Sequence, residues 1–204
     1  MNHSDMWAIE DTFSGEGYAV ICGVDEAGRG PLAGPVCAAA VILPNHLDIS
    51  GLDDSKKLSD KRRRELFPVI QQQAVSYGIG FADEAEIDEM NILQATVLAM
   101  KRAIGQLTVK PDLLLVDGNR KTDFGIPVET VVHGDALCAN IAAASVLAKV
   151  SRDDLMLELA KEFPGYGFEV HKGYGTKQHY AAITELGMCR IHRRTFLKKF
   201  YGEK

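Results

Sequence analysis

Two apolar runs of this 204-residue chain end directly in carboxylates, and they limit how the chain can fold. The run PDLLLVDGN reaches Asp117, and the run YAVICGVDE reaches Asp25 and Glu26. A short, wholly apolar run is typical of a strand that is buried on both faces of a sheet. Because helical patterns alternate with such runs, the sequence predicts an α/β fold, in which a mixed β-sheet is flanked by helices on both faces.

The hydrophobic pattern places the other elements around this sheet. Strands are predicted over residues 18–24, 34–43, 75–81, 127–132 and the run after Pro111, with an antiparallel pairing of the first two. Helices are predicted from residue 61 to about 74, over 85–107, and up to 163 from an N-cap at Asp135. We divide the chain into a leader (1–17), a main domain (18–163) and a C-terminal loop and helical region (164–204).

Composition excludes several classes of protein. The four cysteines are scattered, which argues against a zinc site or a disulfide framework and favours reduced cytosolic thiols. The N-terminus lacks the pattern of a signal peptide. The longest uncharged stretch, 136–148, is shorter than the roughly 20 residues that span a bilayer. We expect a soluble, cytoplasmic protein without membrane contacts, and a monomer by default.

Charge is segregated along the chain although the net charge is only −5. Basic residues cluster in KKLSDKRRR and CRIHRRTFLKK, and acidic residues cluster in ADEAEIDEM. A net negative charge argues against nonspecific binding of nucleic acid, but a local positive face can still form. The alternative for each run is an ordinary solvated helix face.

Four acids follow strand-like runs: Asp25, Glu26, Asp117 and Asp135. Binding crevices of α/β sheets lie at such strand ends. Converging carboxylates require raised pKa values or bound cations, and oxygen ligands without His or Cys suit Mg²⁺ or Mn²⁺. Taken singly, Asp117 also fits a turn and Asp135 an N-cap.

The segment GRGPLAG lies directly after the first acid pair. It lacks the spacing of a dinucleotide-binding fingerprint, and Pro31 opposes an immediate helix. A hairpin bend is one interpretation. The other is a turn whose missing side chains let a sugar-phosphate backbone approach bound metal ions.

Seven segments, in this order, resemble ribonuclease HII: DEAGRGPLAGPV, DSKKLS, EIDEMNILQAT, LLLVDGN, HGD, IAAASVLAKVSRD and GFEVHKGYGTKQH. The resemblance covers residues 17 to about 200. It implies a ribonuclease H-like catalytic domain over 18–163, completed by the C-terminal region. It also implies an endonuclease that cuts the RNA strand of RNA–DNA hybrids and incises DNA duplexes 5′ to embedded ribonucleotides, leaving 3′-hydroxyl and 5′-phosphate ends.

The resemblance further implies a role for each matching residue. Asp25, Glu26, Asp117 and Asp135 would hold two Mg²⁺ or Mn²⁺ ions about 4 Å apart. The turn of Gly28, Arg29 and Gly30 would recognise the 2′-hydroxyl through main-chain contacts, and Tyr174 would pack against the neighbouring sugar. Candidate phosphate contacts are Ser55, Lys56, Lys149, His171 and Lys172. On the long helix, Ser145, Lys149 and Arg152 share one face, which would line the groove or be solvated.

Alternatives of other classes remain at this point. One is a hybrid-binding module that cuts nothing, and another is a small-molecule phosphohydrolase, which the basic clusters and the absence of a P-loop lysine motif disfavour. Ribonuclease HIII shares the fold, but Arg29 and the short leader favour type HII. The C-terminal TFLKKFYGEK only vaguely resembles a clamp-docking peptide, so a helix that packs or contacts nucleic acid is expected there.

Overall fold

A computed structural model describes residues 6–52 and 58–202. Its centre is a five-stranded mixed sheet in the order β3-β2-β1-β4-β5. The strands are β1 (Ile21–Ala27), β2 (Val36–Ile42), β3 (Ser76–Ala82), β4 (Leu113–Asp117) and β5 (Val128–Val131). β1, β2 and β3 pair antiparallel, whereas β1, β4 and β5 pair parallel.

Helices cover both faces of the sheet, which confirms the predicted fold class. They are α1 (Ala8–Gly15), α2 (Asp60–Gln73), α3 (Glu84–Met90), α4 (Ile92–Ile104), α5 (Gly134–Leu137), α6 (Ala139–Glu162), α7 (Phe168–His171), α8 (Lys177–Leu186) and α9 (Arg194–Leu197). Alternate side chains of β2 belong to two hydrophobic cores, one on each face of the sheet. Cys37, Ala39 and Val41 face α2 and α6, while Ala38 and Ala40 face α4.

Small residues bring α6 close to the sheet. A Cβ at Gly23 of β1 would overlap the backbone of Asn140 in α6, so only glycine fits there. Asn140 itself accepts a hydrogen bond from the N–H of Leu43 through Oδ1, over 2.8 Å. This close approach carries the buried alanine-rich part of α6 directly beneath β1, and Ser145 lies beside the end of that strand.

Two predicted helix boundaries are wrong. The helix expected over 85–107 is two helices, because Asn91 adopts a left-handed φ of 73°. The Asn91 side chain then accepts hydrogen bonds from the N–H groups of Leu93 and Gln94, which caps α4. Asp135 is not an N-cap but lies inside α5, and α6 begins only after the extended Cys138.

Residues of the predicted leader pack into the main core. Met6 and Trp7 are buried against α6, and Glu10 of α1 is 3% exposed. The Glu10 carboxylate accepts hydrogen bonds from the Asn140 N–H and from the Cys138 thiol at the start of α6. The N-cap residue of α6, Cys138, makes no side-chain hydrogen bond to the first turn of the helix. The carboxylate of Glu10, distant in the sequence, caps the helix instead.

The C-terminal region folds back onto the main domain. Helices α7 and α8 enclose a small core with Met156 of α6 and Ala33, and a β-bridge joins Ala33 to His192. Leu197 of α9 packs separately against Leu32 and Ile183. Within residues 6–52 and 58–202, no helix combines the length and apolar character needed to cross a membrane.

Candidate active site

Three of the four predicted acids meet at one edge of the sheet. Val24 and Val116 are partners in the parallel β1–β4 ladder, so the next residues, Asp25 in β1 and Asp117 at the end of β4, lie on adjacent strands. Asp135 reaches the same place from α5, which follows β5 after a short turn. Carboxylate oxygens of these three aspartates lie within 4.8 Å of one another.

Electrostatics at this edge are unfavourable for the carboxylates alone. Asp25 is 4% exposed, and burial raises the pKa of its carboxyl well above the usual range. The charges of Glu26 and Asp117 raise this pKa further, while hydrogen bonds from the Glu26 N–H and the Ser145 hydroxyl act in the opposite direction. The cluster therefore carries a net penalty that a cation would remove.

The donor set fits a hard divalent cation. It contains only carboxylate oxygens, the ligands that Mg²⁺ and Mn²⁺ prefer. Asp117 is oriented by the N–H of Gly134, which donates to its Oδ1 over 2.7 Å, and the N–H of Glu26 orients Asp25 in the same way at 2.7 Å. Backbone groups thus fix two of the three aspartates.

Glu26 lies outside this aspartate trio. Its carboxylate is not among the three whose oxygens lie within 4.8 Å of one another, although its charge still acts on Asp25. Its Oε1 lies 3.1 Å from Nη1 of Arg29, an exposed partner three residues ahead. Glu26 still borders the cleft that contains Asp25, and it was predicted as a fourth metal ligand.

The glycine turn lies against two buried arginines. Gly28 has a φ of 93°, and a Cβ there would overlap the guanidinium of Arg152. Arg152 is 1% exposed and donates to the carbonyl oxygens of Ala33, Pro35 and Lys172 over 2.8–3.1 Å. The predicted polar stripe of α6 therefore does not include Arg152 as a groove or solvated residue, because its buried guanidinium binds three backbone carbonyls.

Tyr174 stands at the same turn. A Cβ at Gly30 would lie 3.9 Å from the Tyr174 ring, and the Arg152 guanidinium is 5.9 Å from the ring centroid. The ring remains 43% exposed, on the open side of the cleft. A cleft of about 260 Å³ joins Asp25 and Glu26 to Gly28 and this ring. Its lining residues are Asp25, Glu26, Ala27, Gly28, Arg63, Ser145, Lys149 and Tyr174.

The predicted phosphate contacts have different outcomes. Lys149 lines the cleft and pairs with Asp153 at 2.6 Å. Lys172 lines an adjoining cleft with Arg63 and Arg64, and its ammonium donates to the Glu169 carbonyl. Ser55 and Lys56 lie outside the described residues.

His171 is placed differently from the prediction. It is 7% exposed, its Nε2 bonds the Tyr166 carbonyl at 2.8 Å, and its Nδ1 accepts from the Gly173 N–H at 3.2 Å. A buried ring with both nitrogens engaged does not present a donor to a phosphate, so His171 shapes the loop before Tyr174 instead.

Arg63 and Arg193 were missed by the sequence analysis. Arg63 belongs to the basic run KKLSDKRRR, but the run alone does not tell which arginine faces the cleft. Arg193 belongs to the second basic cluster, and it is fully buried beneath the glycine turn. Its partners are carbonyl groups far away in the sequence, for which a sequence pattern gives no signal.

Comparison with known proteins identifies the family. The family model described as Ribonuclease HII matches residues 22–199. The chain belongs to the ribonuclease HII family. It is 58% identical over 181 residues to a ribonuclease HII of Geotalea uraniireducens, covering 89% of this chain and 84% of the relative. For a ribonuclease HII of Geobacter metallireducens the identity is 54% over 191 residues, covering 94% and 90%.

A solved structure supports the same family. The ribonuclease H2 of Pyrococcus horikoshii OT3 superposes with a TM-score of 0.72 at 26% identity, covering 91% of this chain and 100% of that one. The protein is therefore a ribonuclease H endonuclease that cleaves the RNA strand of RNA–DNA hybrids, and its family depends on metal ions.

Proposed function

We propose that the protein incises DNA duplexes 5′ to embedded ribonucleotides as well as cutting RNA–DNA hybrids, with two Mg²⁺ or Mn²⁺ ions, and leaves 3′-hydroxyl and 5′-phosphate ends. The observation that carries this proposal is a cleft in which Asp25, a member of the aspartate trio, lies together with Gly28 of the glycine turn and Tyr174. Such a cleft lets one nucleotide meet a metal site and a sugar-recognition site together.

Asp25, Asp117 and Asp135 would hold the ions, and Glu26 is the further ligand proposed from the family pattern. Bound ions would supply an activated water and charge stabilisation for the leaving 3′ oxygen. The chain's own residues orient the substrate. The main chain of Gly28, Arg29 and Gly30 meets the 2′-hydroxyl, the group that distinguishes RNA from DNA.

Tyr174 and the basic residues would complete the interface. The half-exposed Tyr174 offers an apolar ring face on which the sugar of the next nucleotide packs. Arg63, Lys149 and Lys172 line the cleft and its extension, where phosphates of either strand would be positioned without sequence preference. We further propose that the protein acts as a monomer in the cytoplasm, in the removal of ribonucleotides from DNA.

The test is a labelled duplex with one ribonucleotide, compared with an all-DNA duplex and a continuous hybrid, in Mg²⁺, in Mn²⁺ and with chelator. We expect incision only 5′ to the ribonucleotide, with the stated ends, and none with chelator. Asp117→Asn should remove cleavage of both substrates, while Glu158→Gln, which alters an exposed ion pair with Lys161, should cleave like the wild type.

Two outcomes would contradict the proposal. Cleavage of the hybrid without incision at a single ribonucleotide would leave only the family activity. Binding of both substrates that chelator does not change, without products at any metal concentration, would favour a binding module.

A further inference from the structure

Arg193 makes an unusual set of contacts for a fully buried cation. It is 0% exposed and directly precedes α9 in the C-terminal region. Nε donates to the carbonyl of Gly34 at 2.9 Å, Nη1 to that of Arg29 at 2.9 Å, and Nη2 to that of Gly28 at 2.6 Å. One guanidinium therefore binds three carbonyl groups of the glycine turn and the segment after it.

Nearby acidic groups compensate the charge of Arg193 only in part: Asp88 and Glu84 raise its pKa, but burial and Arg152 outweigh them. Within residues 6–52 and 58–202, no carboxylate forms an ion pair with it. Burial, and then the charge of Arg152, lower the pKa of Arg193 to about 9. A buried cation without a paired carboxylate is costly. The feature that only arginine provides here is its rigid planar fork of donors.

The geometry of the peptide unit links these contacts to the cleft. In a planar trans peptide, the carbonyl oxygen of one residue and the N–H of the next point in opposite directions. By binding the oxygens of Gly28 and Arg29, Arg193 directs the N–H groups of Arg29 and Gly30 away from itself. Neither N–H donates to an atom of the described part of the chain.

We propose that Arg193 is a positioning residue for ribonucleotide recognition, which fixes two peptide planes so that the N–H groups of Arg29 and Gly30 point toward the substrate's 2′-hydroxyl. This inference rests on the proposed function, because it names the residue that prepares the turn for that contact. Arg193 is buried and does not touch the substrate itself, and its hydrogen bonds go to the turn and the segment after it rather than to the aspartate trio.

The test measures recognition separately from cleavage. Binding of an all-DNA duplex and of the same duplex with one ribonucleotide is measured by fluorescence anisotropy in the Asp117→Asn background, which keeps the substrate intact. The ratio of the two Kd values reports recognition of the 2′-hydroxyl. Arg193→Lys retains the charge but not the fork, and it should lower this ratio about three- to tenfold, the scale of one ordinary hydrogen bond.

A matched control loosens the same segment but keeps the three hydrogen bonds of Arg193 to the turn and the segment after it. Asp88 accepts hydrogen bonds from the N–H groups of Arg194 and Thr195, at 2.8 and 3.0 Å, and so anchors the start of α9. Asp88→Asn should lower the melting temperature but leave the Kd ratio unchanged. Arg193→Met, which removes the charge as well, should lower the ratio at least as far as Arg193→Lys.

The outcomes separate this inference from the proposed function. A clear ratio in the background variant that Arg193→Lys leaves unchanged would overturn the positioning role alone. An equal loss of the ratio in Asp88→Asn would also overturn it, because general loosening would then suffice. A ratio near one in the background variant itself would overturn recognition of the 2′-hydroxyl, and the positioning role with it.

Discussion

Substitution of Asp25 by Asn should stabilise the metal-free protein while removing its activity. The three aspartates place charges within 4.8 Å of one another. Two unit charges at about this distance repel by about 3.5 kcal/mol at an effective dielectric constant of about 20. Because the raised pKa of Asp25 already relieves part of this repulsion, we expect the free energy of unfolding to rise by about 1–2 kcal/mol near pH 7.5.

The shape of the site should survive this change. Asn keeps an oxygen that can accept the hydrogen bond from the Glu26 N–H, which spans 2.7 Å in the wild type. For a domain of this size, about 1 kcal/mol corresponds to about 2–4 °C in melting temperature. The metal-free variant should therefore melt about 2–8 °C above the wild type.

The assay is thermal unfolding with chelator and with increasing Mg²⁺ or Mn²⁺, together with hybrid cleavage. Metal binding to the folded state should raise the melting temperature of the wild type and raise that of Asp25→Asn much less. Cleavage by the variant should fall at least about 100-fold, the scale of losing a group that acts in the transition state. The surface variant Glu158→Gln should match the wild type in both measurements. A metal-free Asp25→Asn protein that melts below the wild type, or one that still cleaves, would refute the reasoning.

Two further predictions concern the turn and the C-terminal core. Gly28→Ala should lower the free energy of unfolding by about 1–3 kcal/mol and reduce cleavage, because the new Cβ would overlap Arg152 at a backbone φ of 93°. Gly15→Ala is the control, since open space surrounds Gly15. Equal melting temperatures of the two variants would contradict this prediction. The pKa of His179 is lowered to about 4, and burial of the imidazole is the main cause. Its contribution to stability is therefore complete above the unfolded pKa of about 6.5 and is lost as the pH falls toward 4. Between pH 7 and pH 5, urea unfolding should show a smaller loss for His179→Gln than for the wild type or for the exposed-site variant His46→Gln, and equal losses would contradict the assignment.

Elements whose signals are local in the sequence were predictable. The apolar runs before Asp25 and Asp117 indicated buried strands, and their carboxyl ends indicated where the acids meet. The break at Asn91 was not predictable from periodicity, because the apolar pattern continues across it and only a left-handed φ separates α3 from α4. The same limit applies to Asp135, which fits an N-cap by type but lies within α5 because α6 is capped by Glu10, a residue 130 positions away.

The buried arginines show a deeper limit of the sequence. Arg152 occupies a helical position that fits a polar stripe with Ser145 and Lys149, and Arg193 belongs to a basic cluster that resembles a surface. Apart from the Lys172 carbonyl, 20 residues from Arg152, their partners are backbone carbonyls 117 to 165 residues away. Every residue has such a carbonyl, so the sequence does not mark which ones will bind an arginine. A charged residue that serves backbone groups therefore cannot be distinguished by sequence pattern from one that serves solvent or phosphate.

The position of the turn relative to the acids follows from this arrangement. Gly28 follows Asp25 by three positions, a span of about 10 Å in an extended strand. The β1–β2 ladder fixes this span as far as the pair Ala27 and Cys37, and the guanidinium of Arg193 fixes the turn immediately beyond it. Asp25 and the turn at Gly28 are therefore held at a fixed separation. If the turn recognises a ribose, the phosphodiester presented to the aspartates is set by the length of this short segment. The site of incision would then be defined by β1 and the C-terminal region together, rather than by contacts with the bases.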